Sequence, residues 1–178
     1  QSICLMQNKD VIEILRKDLN FSDDSVGKII LFSQSVIKAN QKHNFISKST
    51  ESILWHRHIL DSAQLVKFID FKNGSLADLG TGAGFPGIIL AIYNKNSDFH
   101  VKLYEKSPVK RAFLQKIIEQ LGISATIYDN IYEQKIDASY VVCRAFKKLD
   151  EIIQVSREII RTSHKLIVLK GQNAQEEL

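Results

Sequence analysis

Leu76-Ala77-Asp78-Leu79-Gly80-Thr81-Gly82-Ala83-Gly84-Phe85-Pro86-Gly87 decides how this chain is read. A short apolar strand ends at an acid, passes into a glycine-rich turn and opens onto the helix Ile88-Ile89-Leu90-Ala91-Ile92. Glycine admits positive φ and lets the backbone approach a ligand with no Cβ between them. N–H groups at the start of the helix then face that ligand. Pro86 suits the first helical turn, where its missing N–H costs nothing. The pattern is the first βα turn of a nucleotide-cofactor site, with Gly80, Gly82 and Gly84 as candidate contacts.

Asp78 selects the cofactor. Gly82 to Gly87 fits G-x-G-x-x-G, the dinucleotide fingerprint. A pyrophosphate over this turn is repelled by a carboxylate two residues before Gly80. S-adenosylmethionine has no phosphate, and its ammonium and sulfonium attract that carboxylate. Acid-x-Gly-x-Gly therefore points to S-adenosylmethionine. A dinucleotide such as NAD is the alternative, and a glycine turn without a ligand is the plain one.

Composition sets the outer bounds. The 178 residues suit one domain, or one domain with a small appendage. With 44% hydrophobic and 25% charged residues the chain can fill a core. The net charge of +4 permits a nucleic-acid partner without demanding one. Cys4 and Cys143 are far apart and lack metal-ligand spacing, so they read as thiols in a reducing compartment, with no metal site. No apolar run reaches membrane-spanning length, and the first twenty residues mix charge with apolar groups, unlike a signal peptide. The expected location is the cytoplasm.

Residues 9 to 69 read as helical. Val11, Ile12, Leu15 and Leu19 recur at helical spacing, and Ser22 caps a second helix that has Asp23 and Asp24 in its first turn. Residues 43 to 50 read as a loop. A third helix, about Glu51 to Ile69, is expected to bury Ile53, Leu54, Leu60, Ala63 and Val66. Beyond the Asn73-Gly74 turn, strands are expected near 75–79, 100–105, 124–128, 138–143 and 165–170, with helices near 86–94, 108–121 and 148–161. Ser107-Pro108 starts the middle one of these helices and Gly122 ends it. This alternation predicts an α/β fold, a doubly wound and mainly parallel sheet, behind an N-terminal helical cap. The expected division is 1–72 for the cap and 73–178 for the cofactor-binding core.

Ligands bind such sheets beyond the carboxyl ends of the strands. Glu105 ends strand two, 25 residues after Gly80, where an acid accepts hydrogen bonds from ribose hydroxyls. The alternative is an exposed acid leading into a helix. Strand four ends at Cys143-Arg144-Ala145-Phe146. Arg144 there pairs with a methionine carboxylate or a phosphate, or else lies as a surface arginine over Phe146. Lys170 after strand five raises the same pair of readings.

Together these residues resemble a known family. Arg57-His58-Ile59-Leu60-Asp61-Ser62 and the Asp78–Gly87 stretch are similar to the RHxLDS and D-x-GTGxGxPG signatures of bacterial 16S ribosomal RNA (guanine-N7) methyltransferases, the glucose-inhibited division protein B family. Ser107-Pro108-Val109-Lys110-Arg111-Ala112-Phe113-Leu114 resembles its S-x-x-KR-x-x-FL. Arg144-Ala145-Phe146 and Leu169-Lys170-Gly171-Gln172 resemble its RAF and LKGQ elements. The likeness runs from about Asn40 to Gln172. The chain departs from the family's Trp-Asn-x-x-Tyr-Asn-Leu-Thr at Ala39-Asn40-Gln41-Lys42-His43-Asn44-Phe45-Ile46, keeping Asn44. Methyltransferases of this class add strands six and seven after strand five, and this chain is expected to lack them.

The resemblance implies the class I S-adenosylmethionine methyltransferase fold and methyl transfer to N7 of a guanine in 16S ribosomal RNA, near the decoding centre. It implies cofactor contacts at Gly80, Phe85, Ile131, Tyr132 and Arg144, with Glu105 as the ribose acid. Asn44, His58 and Arg144 are candidates for positioning the reactants. Lys110, Arg111, Lys147 and Lys170 are candidates for holding RNA phosphates. The expected partner is 16S RNA or the small ribosomal subunit, met by a monomer without a membrane. Alternatives are a methyltransferase of a protein or small molecule, and a nucleotide-binding module without catalysis.

Overall fold

The computed structural model describes residues 7–132, 135–144 and 148–169. Cys4, Ala145, Phe146, Lys147 and the Lys170-Gly171-Gln172 segment lie outside them. Five parallel strands form one sheet: β1 (Gly74–Leu79), β2 (Phe99–Tyr104), β3 (Ala125–Tyr128), β4 (Tyr140–Arg144) and β5 (Lys165–Leu169). Their order is β3-β2-β1-β4-β5, so the chain winds outward from β1 in one direction and then in the other. Asp78 is in register with Leu103 of β2 and with Val142 of β4. This reversal of direction beside β1 is where doubly wound sheets open a crevice.

The strands form because both faces are covered. On β1, Leu76 joins the apolar cluster on one face, while Ala77 and Leu79 join the cluster on the other. The crossover helices are α5 (Gly87–Tyr93), α6 (Pro108–Leu121) and α7 (Leu149–Ile159). Ser107 Oγ accepts from the Lys110 N–H at 3.3 Å at the start of α6, and Gly122 closes it at φ +61°. The helices before β1 are α1 (Lys9–Glu13), continued by a π turn at Ile14–Asp18, then α2 (Asp23–Asn40), capped by the Ser22 hydroxyl, and α3 (Lys48–Glu51). They share one apolar cluster with the sheet: Val11, Ile29 and Phe32 belong with Leu76, Ile88 and Leu103. Among the described residues, no helix is long and apolar enough to cross a membrane.

Two expectations need correction. The helix expected from Glu51 to Ile69 is a series of short turns: α3, a π turn at Trp55–Leu60, α4 (Asp61–Ala63) and a 3-10 turn at Gln64–Phe68. The wide π turn rotates the inward face, so Trp55 and Ile59 are buried while Ile53 stays 48% exposed and Leu60 is only half-buried. The 43–50 segment is not wholly irregular either. Ser47 caps α3, and Asn40 Oδ1 accepts from the N–H groups of Phe45 and Ile46 at 2.9 and 3.0 Å.

Candidate cofactor cleft and its polar floor

The carboxyl ends of β1, β2 and β3 open into a cavity of about 290 Å³, lined by Leu79, Gly80, Tyr104, Glu105, Lys106, Asp129, Ile131 and Tyr132. Strand geometry selects these residues. Leu79 points away from α5, Tyr104 stacks on Tyr128 at 5.0 Å, and both sit in the apolar cluster that Ile131 completes. Burial and the neighbouring Tyr128 push the Tyr104 phenol up to about 12, so it stays neutral. Glu105 and Asp129 each stand one residue past a strand end, on neighbouring strands. They bring two carboxylates to one apolar slot. Among the described residues Lys106 is the one cation in the lining, and its Nζ lies 5.7 Å from the centre of the Tyr132 ring.

Of the residues expected at the cofactor, Glu105, Gly80, Ile131 and Tyr132 line one cavity. Asp129 was missed. It carries the same signal as Glu105, an acid directly after a parallel strand. The positions at Gly80 (φ +75°) and Gly82 (φ +60°) have open space where a Cβ would stand. A ligand can lie against bare backbone there.

Three residues expected at the cofactor, Asp78, Gly84 and Phe85, face the packed helices and do not line the cavity. Asp78 shares the face of Leu76 through the two-residue period of the strand, which turns it beneath α5. It is 0% exposed, and its Oδ2 accepts from the Gly87 N–H at 2.8 Å. Burial pushes its carboxyl up to about 7, although the Thr81 hydroxyl, the Gly87 N–H and Arg144 favour the charged form. The carboxylate thus ties the turn to the helix and does not line the cleft. Phe85 is 3% exposed, with its ring 5.3 Å from Phe32 and stacked 5.0 Å from His58. Gly84 (φ +111°) is hemmed in by Ile88, Phe32 and Leu114, so its missing side chain makes room for helices rather than for a ligand.

Arg144 and His58 form a polar floor on the Asp78 face. Arg144 lies two residues beyond Val142, on the same side of β4. Burial holds its guanidinium below the usual range, against the pull of Asp61 and Asp78. Its Nε and Nη2 are buried without a hydrogen-bond partner among the described residues. Burial first, then Arg144 and Arg57, push His58 down to about 4, so its ring is neutral at pH 7. Asp61, a neighbour of Arg144, was not expected from the sequence.

Of the four basic candidates, Arg111 is built into the turn itself. Its Nη1 donates to the carbonyls of Glu105 and Lys106 at 2.9 and 2.6 Å, closing the strand-to-helix turn. Lys110 is half-buried beside it, Asn44 is exposed, and Lys147 and Lys170 lie outside the described residues.

The donor set fits S-adenosylmethionine. Glu105 and Asp129 accept from hydroxyl and amino groups and the apolar slot takes a flat base, while Arg144 stands outside the cavity lining. Two acids with a single lysine are a poor cradle for a pyrophosphate. The fold is that of the class I methyltransferases. Chains with this fold include PH0793 of Pyrococcus horikoshii, at a TM-score of 0.53 and 16% identity over 66% of this chain and 47% of that one. Coclaurine N-methyltransferase gives 0.50 and 15%, over 61% and 35%.

The rRNA small subunit methyltransferase G (GidB) family model matches residues 25–178, and the chain belongs to that family of S-adenosylmethionine-dependent enzymes. The ribosomal RNA small subunit methyltransferase G of Pelagibacter ubique (strain HTCC1062) is 35% identical over 170 residues, 92% of this chain and 80% of that protein. Its counterpart in Rickettsia akari (strain Hartford) is 37% identical over 161 residues, 90% and 82% of the two chains.

Proposed function

We propose that this chain transfers the methyl group of S-adenosylmethionine to N7 of a guanine in 16S ribosomal RNA, in the cytoplasm and as a monomer. The observation that carries the reading is the convergence of Glu105 and Asp129 on one apolar cleft beside the open backbone of Gly80. Glu105 binds the ribose hydroxyls and Asp129 the amino edge of the base, with Leu79, Ile131 and Tyr132 enclosing the rings. Arg144 holds the methionine carboxylate from the opposite side of the turn. Bound there, S-adenosylmethionine supplies an electrophilic methyl carbon on a sulfonium.

Guanine N7 presents a lone pair and needs no base to expose it. This agrees with a floor in which His58, pushed down to about 4 and stacked on Phe85, offers no proton chemistry at pH 7. Catalysis is then positioning and exclusion of water. The helices before residue 73 act as the cap, which sets Asn44 and His58 on the substrate side. The test is methyl transfer from labelled S-adenosylmethionine to small subunits and to protein-free 16S RNA, with the modified base mapped. Label at guanine N7 is expected. Label in protein, or at another nucleobase atom, overturns the reading.

A further inference from the structure

A second cavity, of about 580 Å³, lies between α2 and α6 and is separate from the cofactor cleft. Its lining includes Lys38, Lys42 and Lys116, all exposed, and among the described residues no acidic side chain. At its mouth the exposed His43 ring stacks on Phe45 at 5.6 Å and 16°. Phe45 in turn meets Phe113 of α6 edge-on at 5.2 Å. Asn40 fixes this platform, because its carbonyl oxygen accepts from the Phe45 and Ile46 N–H groups while its amide donates to Glu51 at 2.8 Å. A flat ring backed by two phenylalanines and flanked by three lysines suits an unpaired base and its phosphates. The groove also reaches the reaction edge of the sheet, since α6 starts at Pro108, three residues after Glu105.

We propose that this groove holds a single-stranded segment of the ribosomal RNA substrate, with one base stacked on His43 and phosphates on Lys38, Lys42 and Lys116. It rests on the substrate reading above and adds the surface that carries it. The charge argues for RNA over a protein segment, because the lining offers cations and stacking faces in place of a continuous apolar stripe.

The test measures binding of protein-free 16S RNA at several salt concentrations. It compares the wild type, the triple variant Lys38→Gln/Lys42→Gln/Lys116→Gln, the variant His43→Ala and the remote control Lys67→Gln/Lys72→Gln/Lys95→Gln. Binding of S-adenosylhomocysteine and a melting curve accompany each. The groove triple should flatten the log–log salt slope by about two units, from about 0.7 per contact on a single strand, and the control should not. His43→Ala should weaken binding about tenfold at an unchanged slope. A groove triple that matches wild type, or a control that loses as much, overturns the groove and leaves the substrate reading standing. Loss of subunit methylation with unchanged binding to protein-free RNA assigns the groove to a protein and also overturns it. A wild type that binds 16S RNA no better than an unrelated RNA overturns the substrate reading itself.

Discussion

Gly84→Ala tests how the glycine turn is held. A methyl group at this position would stand 2.7 Å from Ile88 Cγ1, 2.9 Å from Phe32 Cζ and 3.0 Å from Leu114 Cδ2. Those atoms come from α5, α2 and α6, so no single side chain can yield and clear the space. The backbone adds its own cost, because φ is +111°. A left-handed residue with a Cβ costs about 1–2 kcal/mol, and overpacking a core costs about 1–3 kcal/mol. The sum, about 2–5 kcal/mol, is a large share of the roughly 5–15 kcal/mol that stabilises a domain. Gly122→Ala is the control. Its φ is +61° and nothing lies within 4 Å of the added methyl, so only the conformational cost of about 1 kcal/mol remains. Urea unfolding of the two variants beside wild type gives the packing part by difference. Equal losses in both would refute the convergence of three helices on Gly84.

Asp78→Asn should remove a pH dependence. The native carboxyl titrates at about 7 and the unfolded one near 3.8, so its stabilisation is fully present below 3.8 and is lost as pH rises through about 7. Asparagine does not titrate, and the variant should gain on wild type between about pH 4 and pH 7 in urea unfolding; parallel profiles would contradict the buried carboxyl. Arg111→Gln should cost about 1.5 kcal/mol of stability and weaken S-adenosylhomocysteine binding, with the RNA salt slope unchanged. A stable variant with a flatter slope would assign Arg111 to phosphate binding. Glu105→Ala should weaken cofactor binding by about 1.5–3 kcal/mol and abolish discrimination against a 2′,3′-dideoxy analogue. Equal discrimination by wild type and variant would remove Glu105 from the ribose.

Local chemistry made much of this molecule legible in its sequence. The strands are short apolar runs because both faces of the sheet are covered, and the Ser107-Pro108 start and Gly122 stop of α6 need only neighbouring residues. The acid at Glu105 was found by its place after a strand, and the same rule, applied to β3, finds Asp129. What stayed hidden depends on which way a residue faces. Asp78 reads as a ligand group from its spacing to Gly80, yet strand alternation puts it under α5. Gly84 and Phe85 belong to a turn that approaches a ligand, but the helices that surround them come from elsewhere in the chain. The π turn at Trp55–Leu60 breaks the 3.6-residue period, so the period named Ile53 for the core instead of Trp55. Asn40 organises a loop through bonds that span five and six residues, which no periodicity records.

The two sides of the cleft are built differently. Toward β4 the turn rests on Asp78, Phe85 and Gly84, all locked beneath packed helices. Toward β3 the wall is the short Asp129–Tyr132 stretch, held by the Tyr132 N–H donating to Asn130 Oδ1 at 3.0 Å, with the Tyr132 ring 51% exposed. One wall is keystone and the other cladding: the first is pinned by residues from three helices, the second by a single bond within its own loop and a lysine lying over an exposed ring.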